Sequence, residues 1–91
     1  MSRSGWEPIV APSAERTLAR LPEKAAAAVV EFMLGPLVAA PQRVGHTLRG
    51  ELHGLWAARR GPYRIVYELD EPAREIRVLR IDHRADVYRP R

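Results

Sequence analysis

The sequence predicts an α+β domain in which a small antiparallel β-sheet is packed on one face by an N-terminal helical hairpin, in the order β-α-α-β-β-β. Three observations carry this. A short aromatic and β-branched run, Trp6–Val10, comes first; two stretches with apolar residues at helical spacing follow; three strand-like segments separated by turn residues close the chain. Helices and strands that segregate along a chain, rather than alternate, place the helices on one side of an antiparallel sheet. Ninety-one residues suffice for one core, so residues 1–91 are read as a single domain.

The elements follow in order. Pro12 and Ser13 mark a helix start, Pro being tolerated in the first turn and Ser being a good cap. Ala14, Leu18 and Leu21 then recur at helical spacing. Pro22 interrupts and opens a second helix, with Glu23 favourable to its dipole. Val29, Val30, Phe32, Met33 and Leu34 give that helix a broad apolar face. Gly35-Pro36 is expected to end or kink it, with a helical turn continuing to Ala39. Residues 41–53 read as a polar connection in which His46 and His53 are ordinary surface residues. The strand segments are Leu55–Arg60, Tyr63–Leu69 and Glu75–Asp82, joined by Gly61-Pro62 and by Asp70–Ala73.

Composition narrows the function. With no cysteine there are no disulfides, no thiolate chemistry and no usual structural zinc site, and neither metal nor cofactor is expected. Met1–Gly5 is polar, and the longest apolar run, Ala25–Val30, is far short of the ~20 residues a membrane span needs. A cytoplasmic protein without a membrane partner is expected. Residues 1–42 hold four basic and four acidic side chains, whereas residues 43–91 hold eleven arginines against seven acids and so carry the whole net charge of +4. Arginine's planar fork suits phosphate, so this half is expected to meet an anion.

The stretch WAARRGPYRIVY, residues 56–67, localises that expectation. A two-residue turn at Gly61-Pro62 pairs Arg60 with Tyr63, Arg59 with Arg64, Ala58 with Ile65 and Trp56 with Tyr67. Directly paired residues share a face. One face then carries Trp56, Ala58, Ile65 and Tyr67 toward the helices, and the other carries Arg59 and Arg64 with Ala57 and Val66. A second turn centred on Glu71-Pro72 pairs Tyr67 with Ile76 and Ile65 with Val78. It adds Arg77, Leu79, Ile81 and His83 to the arginine face and sets Glu68 against Glu75. A slip of one residue would reverse these assignments.

These residues resemble a known family. G-L-W-A-A-R-R-G-P-Y-R-I-V-Y-E-L is similar to the hairpin of the RelE/ParE superfamily of bacterial toxin–antitoxin systems. I-D-H-R-A-D-V-Y resembles its closing motif, and L-R-G-E-L-H-G-L its approach to the second strand. The helical hairpin, with its L-P and G-P-L punctuation, resembles the RelE-type toxins of mycobacteria and related actinobacteria. The resemblance implies a toxin that enters the ribosomal A site and cleaves mRNA, in contact with rRNA. It also implies a cognate antitoxin of the RelB/Phd-like kind, through which oligomers mainly form. The ParE branch instead poisons DNA gyrase, and a noncatalytic RNA-binding module is a third reading.

Carried onto this sequence, the resemblance implies a site of Arg59, Arg64, Arg84 and Tyr88, with His83 beside the closing motif. Arg49, Arg60 and Arg77 are candidates for RNA contact. Where RelE-type enzymes often have a further basic residue, two before Arg59, this chain has Ala57. Metal-free RNA cleavage needs a group to deprotonate the 2′-OH, cations on the phosphate and a proton for the departing 5′-oxygen. Arginines supply the cations, and His83 and Tyr88 are the candidates for proton transfer. Tyr88 alternatively stacks on a base.

Overall fold

Residues 5–50 and 54–84 are described by a computed structural model. Strand β1 is Glu7–Val10, followed by helices α1, Pro12–Arg20, and α2, Glu23–Phe32. A helical turn α3, Pro41–Val44, leads into β2, Gly45–Thr47, and then come β3, Trp56–Arg60, β4, Tyr63–Asp70, and β5, Glu75–His83. The strands lie in the order β1-β5-β4-β3-β2, with β1 parallel to β5 and the other neighbours antiparallel. The α+β class and the N-terminal helical hairpin agree with the sequence reading. The sheet is mixed, because β1 returns alongside β5. It also has a fifth strand, β2, within the stretch read as a polar connection; three residues are too few to show an alternation.

Pro12 takes the first helical position of α1, but Ser13 is not its cap: Ala11 is, and the Ser13 hydroxyl donates instead to the Leu79 carbonyl at 2.8 Å. Pro36 does not end the helical hairpin. It has no N–H to give, and the chain absorbs its ring in a widened turn, Met33–Leu37, that keeps Met33 and Leu37 in the core.

The core lies between the helices and one face of the sheet. Trp6, Ala14, Val29, Met33 and Leu37 meet Ala58, Ile65, Tyr67, Ile76, Val78 and Ile81 there. Tyr67 anchors it. Its ring stacks on Trp56, and its hydroxyl donates to the buried carbonyl of Pro41 at 2.6 Å, tying β4 to α3. Burial pushes its pKa up to about 12. The folded value lies above the ordinary phenol value of ~10, so the contribution is complete below pH ~10 and is lost as pH rises through about 12. Tyr67→Phe leaves the Pro41 carbonyl without its donor, and a loss of ~1–3 kcal/mol in urea unfolding at neutral pH is expected. The variant should also show a weaker fall in stability between pH 10 and 12 than the parent.

The first hairpin has the register read from the sequence: Arg60 pairs with Tyr63, Arg59 with Arg64, Ala58 with Ile65 and Trp56 with Tyr67. Gly61, at a φ of 61°, supplies the positive φ that a two-residue turn needs in its first central position. The second hairpin differs. Its loop is four residues long, Glu71 to Arg74, with Arg74 at a φ of 57°, so Tyr67 pairs with Val78 and Leu69 with Ile76, two residues beyond the expected partners. Glu68 therefore faces Arg77 rather than Glu75, and the expected like-charge clash does not occur. A β-bulge follows: Val66 pairs with Arg80 while Tyr67 pairs with Val78, leaving Leu79 as the extra residue. Beyond it the faces of β5 exchange. Ile81 joins the core opposite Ile65, Asp82 faces Arg64, and His83 faces Tyr63, so Ile81 and His83 are not on the arginine face as the two-residue turn implied.

Candidate functional site

The face of the sheet away from the core is organised in cross-strand rows. One row runs Arg59, Arg64, Asp82, and the next runs His46, Ala57, Val66, Arg80. Ala57 and Val66 are buried and make a small apolar floor. Arg59 and Arg60 are exposed and make no ion pair among the described residues. The opposite end of the same face is acidic and self-contained. There Arg77 contacts Glu68 at 3.3 Å, Asp70 at 2.8 Å and Glu75 at 3.5 Å. The hydrogen bond to Glu68, with the nearby carboxylates, holds Arg77 firmly protonated. Arg77 lies roughly 16 Å along β5 from Asp82 at ~3.3 Å per residue, and its charge is already answered by three carboxylates. The structure thus gives Arg77 an ion-pair role and separates it from the other arginines.

Arg64 is the most confined cation of the group. Its side chain is 27% exposed and its terminal nitrogen lies 3.7 Å from the Asp82 carboxylate. Its Nε is buried and has no hydrogen-bond partner among the described residues. The same Asp82 oxygen accepts from Arg80 Nε at 3.0 Å. One carboxylate therefore holds two guanidinium groups that have donors to spare. Sequence reasoning passed over Arg80 and Asp82, because the bulge that turns them onto this face leaves no sign in the residue pattern.

The remaining candidates divide. Arg84 follows β5 directly, and its backbone N–H donates to the Pro62 carbonyl at 2.7 Å, fixing it at the tip of the first hairpin near Arg60. His83 packs edge-on against Tyr63, with ring centroids 5.2 Å apart, and lines a cleft of about 400 Å³ with Thr17, Arg20 and Leu21 on the helical side. Arg49 is exposed just after β2, and Tyr88 lies outside the described residues. The structure thus brings Arg59 and Arg64 together, adds Arg80 and Asp82, and ties Arg84 to the adjoining turn. No group of His, Asp and Glu that could hold a metal ion occurs among the described residues, and none of their helices is long and apolar enough to cross a membrane.

Comparison with known proteins places this geometry. The family pattern described as "ParE toxin of type II toxin-antitoxin system, parDE" matches residues 9–88. Toxin RelG of Mycobacterium tuberculosis is 51% identical over 77 residues, covering 85% of this chain and 88% of the relative. Toxin RelE of the same organism is 48% identical over 80 residues, covering 88% of this chain and 82% of the relative. The fold superposes with a TM-score of 0.85 on a chain from the crystal structure of the toxin–antitoxin complex RelBE2 of M. tuberculosis, at 44% identity, over 88% of this chain and 99% of that one. An unbroken match across the helices, both hairpins and the closing motif leaves one conclusion: the chain belongs to the RelE/ParE superfamily of type II toxins, in its RelE-like branch.

Proposed function

We propose that this toxin is a metal-independent endoribonuclease that cleaves mRNA in the ribosomal A site, and that a cognate RelB/Phd-like antitoxin restrains it. The observation that carries the reading is Arg64: a guanidinium already largely desolvated, oriented by Asp82, with a buried donor awaiting an acceptor and Arg59 directly opposite. Like charges side by side disfavour the sheet, and a phosphate between them turns that repulsion into binding. With Arg84 at the adjoining turn, three arginines surround a place for the scissile phosphate. They would stabilise its extra charge in the transition state, because cations fixed in advance need no reorganisation when the charge develops. The antitoxin proposal draws on the RelBE2 likeness, whose complex pairs toxin with antitoxin. Cytoplasmic action follows from the ribosomal target.

Inducing the chain in bacteria and mapping mRNA 5′ ends alongside plasmid topology tests the reading. Codon-phased cuts that appear within minutes of induction are expected. The matched family pattern bears the ParE description, so topology is the second readout: double-stranded DNA breaks with intact mRNA would replace the nuclease by a gyrase poison. Tight, salt-sensitive RNA binding without either signal would mark a noncatalytic RNA-binding module.

A further inference from the structure

Among the described residues, β3, β4 and β5 bring no imidazole to the arginine face, and Tyr88 lies outside them. The guanidinium groups of Arg59, Arg64 and Arg80 offer donors but no acceptor, and His83 packs on the helical side against Tyr63. Strand β2 supplies what is missing. His46 pairs directly with Ala57, in the same cross-strand row as Val66 and Arg80, and it is exposed. Ala57 presents only a methyl group, so nothing from β3 stands between the imidazole and the arginine row. The neighbouring position of β2, Gly45, pairs with Ala58, which makes Arg59 a diagonal neighbour of His46, about 7–8 Å away in Cα terms and within reach of two long side chains.

The geometry points to His46 as the general base of the cleavage reaction, an inference that rests on the endoribonuclease reading above. His46 takes the proton of the attacking 2′-hydroxyl. The bond from O2′ to phosphorus forms as the bond from phosphorus to O5′ breaks. The departing 5′-oxygen takes a proton from solvent, and the imidazolium later returns one to solvent, so the step balances. Of the charged residues on this face, Arg59 of β3 is the diagonal neighbour of His46, Arg64 lies beyond it on β4 and Arg80 and Asp82 further across the sheet on β5, while Arg43 of α3 and Arg49 flank His46 in sequence. Most are cationic. That setting favours a phosphate beside the imidazole.

Single-turnover cleavage of a defined mRNA on stalled ribosomes, followed between pH 5.5 and 8.5, tests this with the full chain, His46→Gln, His46→Ala and His83→Gln. For the parent, the rate should fall as pH drops through the range in which imidazoles take up a proton. Both His46 variants should cleave about 10²–10⁴-fold more slowly at pH 7 while keeping the half-saturating ribosome concentration, and their profiles should lose that fall. Added imidazole should restore part of the His46→Ala rate, which a structural role would not allow. Because His46 is exposed on a short edge strand, the variants are expected to fold, and thermal melts check it. His46 variants with the parent's rate and profile would overturn the inference and leave the nuclease reading standing. So would loss of the pH limb in His83→Gln instead, or higher half-saturation at an unchanged maximal rate. A parent that cuts no mRNA would overturn both.

Discussion

Arg64→Ala is expected to abolish toxicity without weakening the fold. Removing one preorganised donor from a developing anion costs ~10²–10³ in rate. Combining it with Arg84→Ala should leave no measurable codon-phased cuts and no growth arrest. Stability should move little, within ~1 kcal/mol, because two terms oppose each other. The variant loses a partly exposed 3.7 Å ion pair with Asp82 and relieves the cross-strand repulsion from Arg59. Arg64→Lys is the sharper control. It keeps the charge but not the planar fork, so it should recover affinity for RNA better than it recovers cleavage. A toxic Arg64→Ala protein, or one whose melting temperature collapses, would contradict this account of the site.

Gly45→Ala is expected to produce the largest loss of stability of any single methyl addition on the sheet side of α3. A Cβ at Gly45 would overlap the Tyr67 hydroxyl and lie 2.9 Å from the Ala57 carbonyl oxygen. Neither partner yields freely. The hydroxyl is committed to Pro41, and the carbonyl belongs to the neighbouring strand. Overpacking of this kind costs ~1–3 kcal/mol, and displacing the Tyr67 hydroxyl adds a comparable amount by stranding the Pro41 carbonyl. Urea unfolding checks the size. A double variant with Tyr67→Phe should lose less than the two single losses together, since both act on one hydroxyl.

How much of this was legible in the sequence depends on the turns. Gly61-Pro62 announces a two-residue connection, and everything that depends on the first hairpin followed: the Arg59–Arg64 pair, the Trp56 and Tyr67 core face, and the arginine side of the sheet. The second loop conceals its length. It places Arg74, not a glycine, in the left-handed region, so Asp-Glu-Pro-Ala looked like a tighter turn than it is. The bulge at Leu79 is likewise silent, because Val78, Leu79 and Ile81 alternate no differently on either side of it. The loop shifted the partners by two residues and kept the faces, whereas the bulge alone misplaced Ile81 and His83 and hid Asp82 and Arg80. Strand β2 escaped because three residues flanked by polar ones carry no period, and His46 went with it.

The Leu79 bulge has a consequence for how β5 can change. Ser13 accepts the task of satisfying the Leu79 carbonyl from α1, so the extra residue is braced from outside the sheet. Downstream of it, what each side chain faces is set by its partner on β4, Ile65 for Ile81 and Arg64 for Asp82. Substitutions in this stretch are absorbed one site at a time. Deleting Leu79 would close the bulge into a regular ladder and leave Ile81 opposite Ile65 and Asp82 opposite Arg64. One residue of length can therefore be lost at the bulge without disturbing the arginine face. The four-residue loop before it, though exposed, is held by Arg74, which sits at a φ of 57° with its guanidinium 4.3 Å from the Trp6 ring centroid.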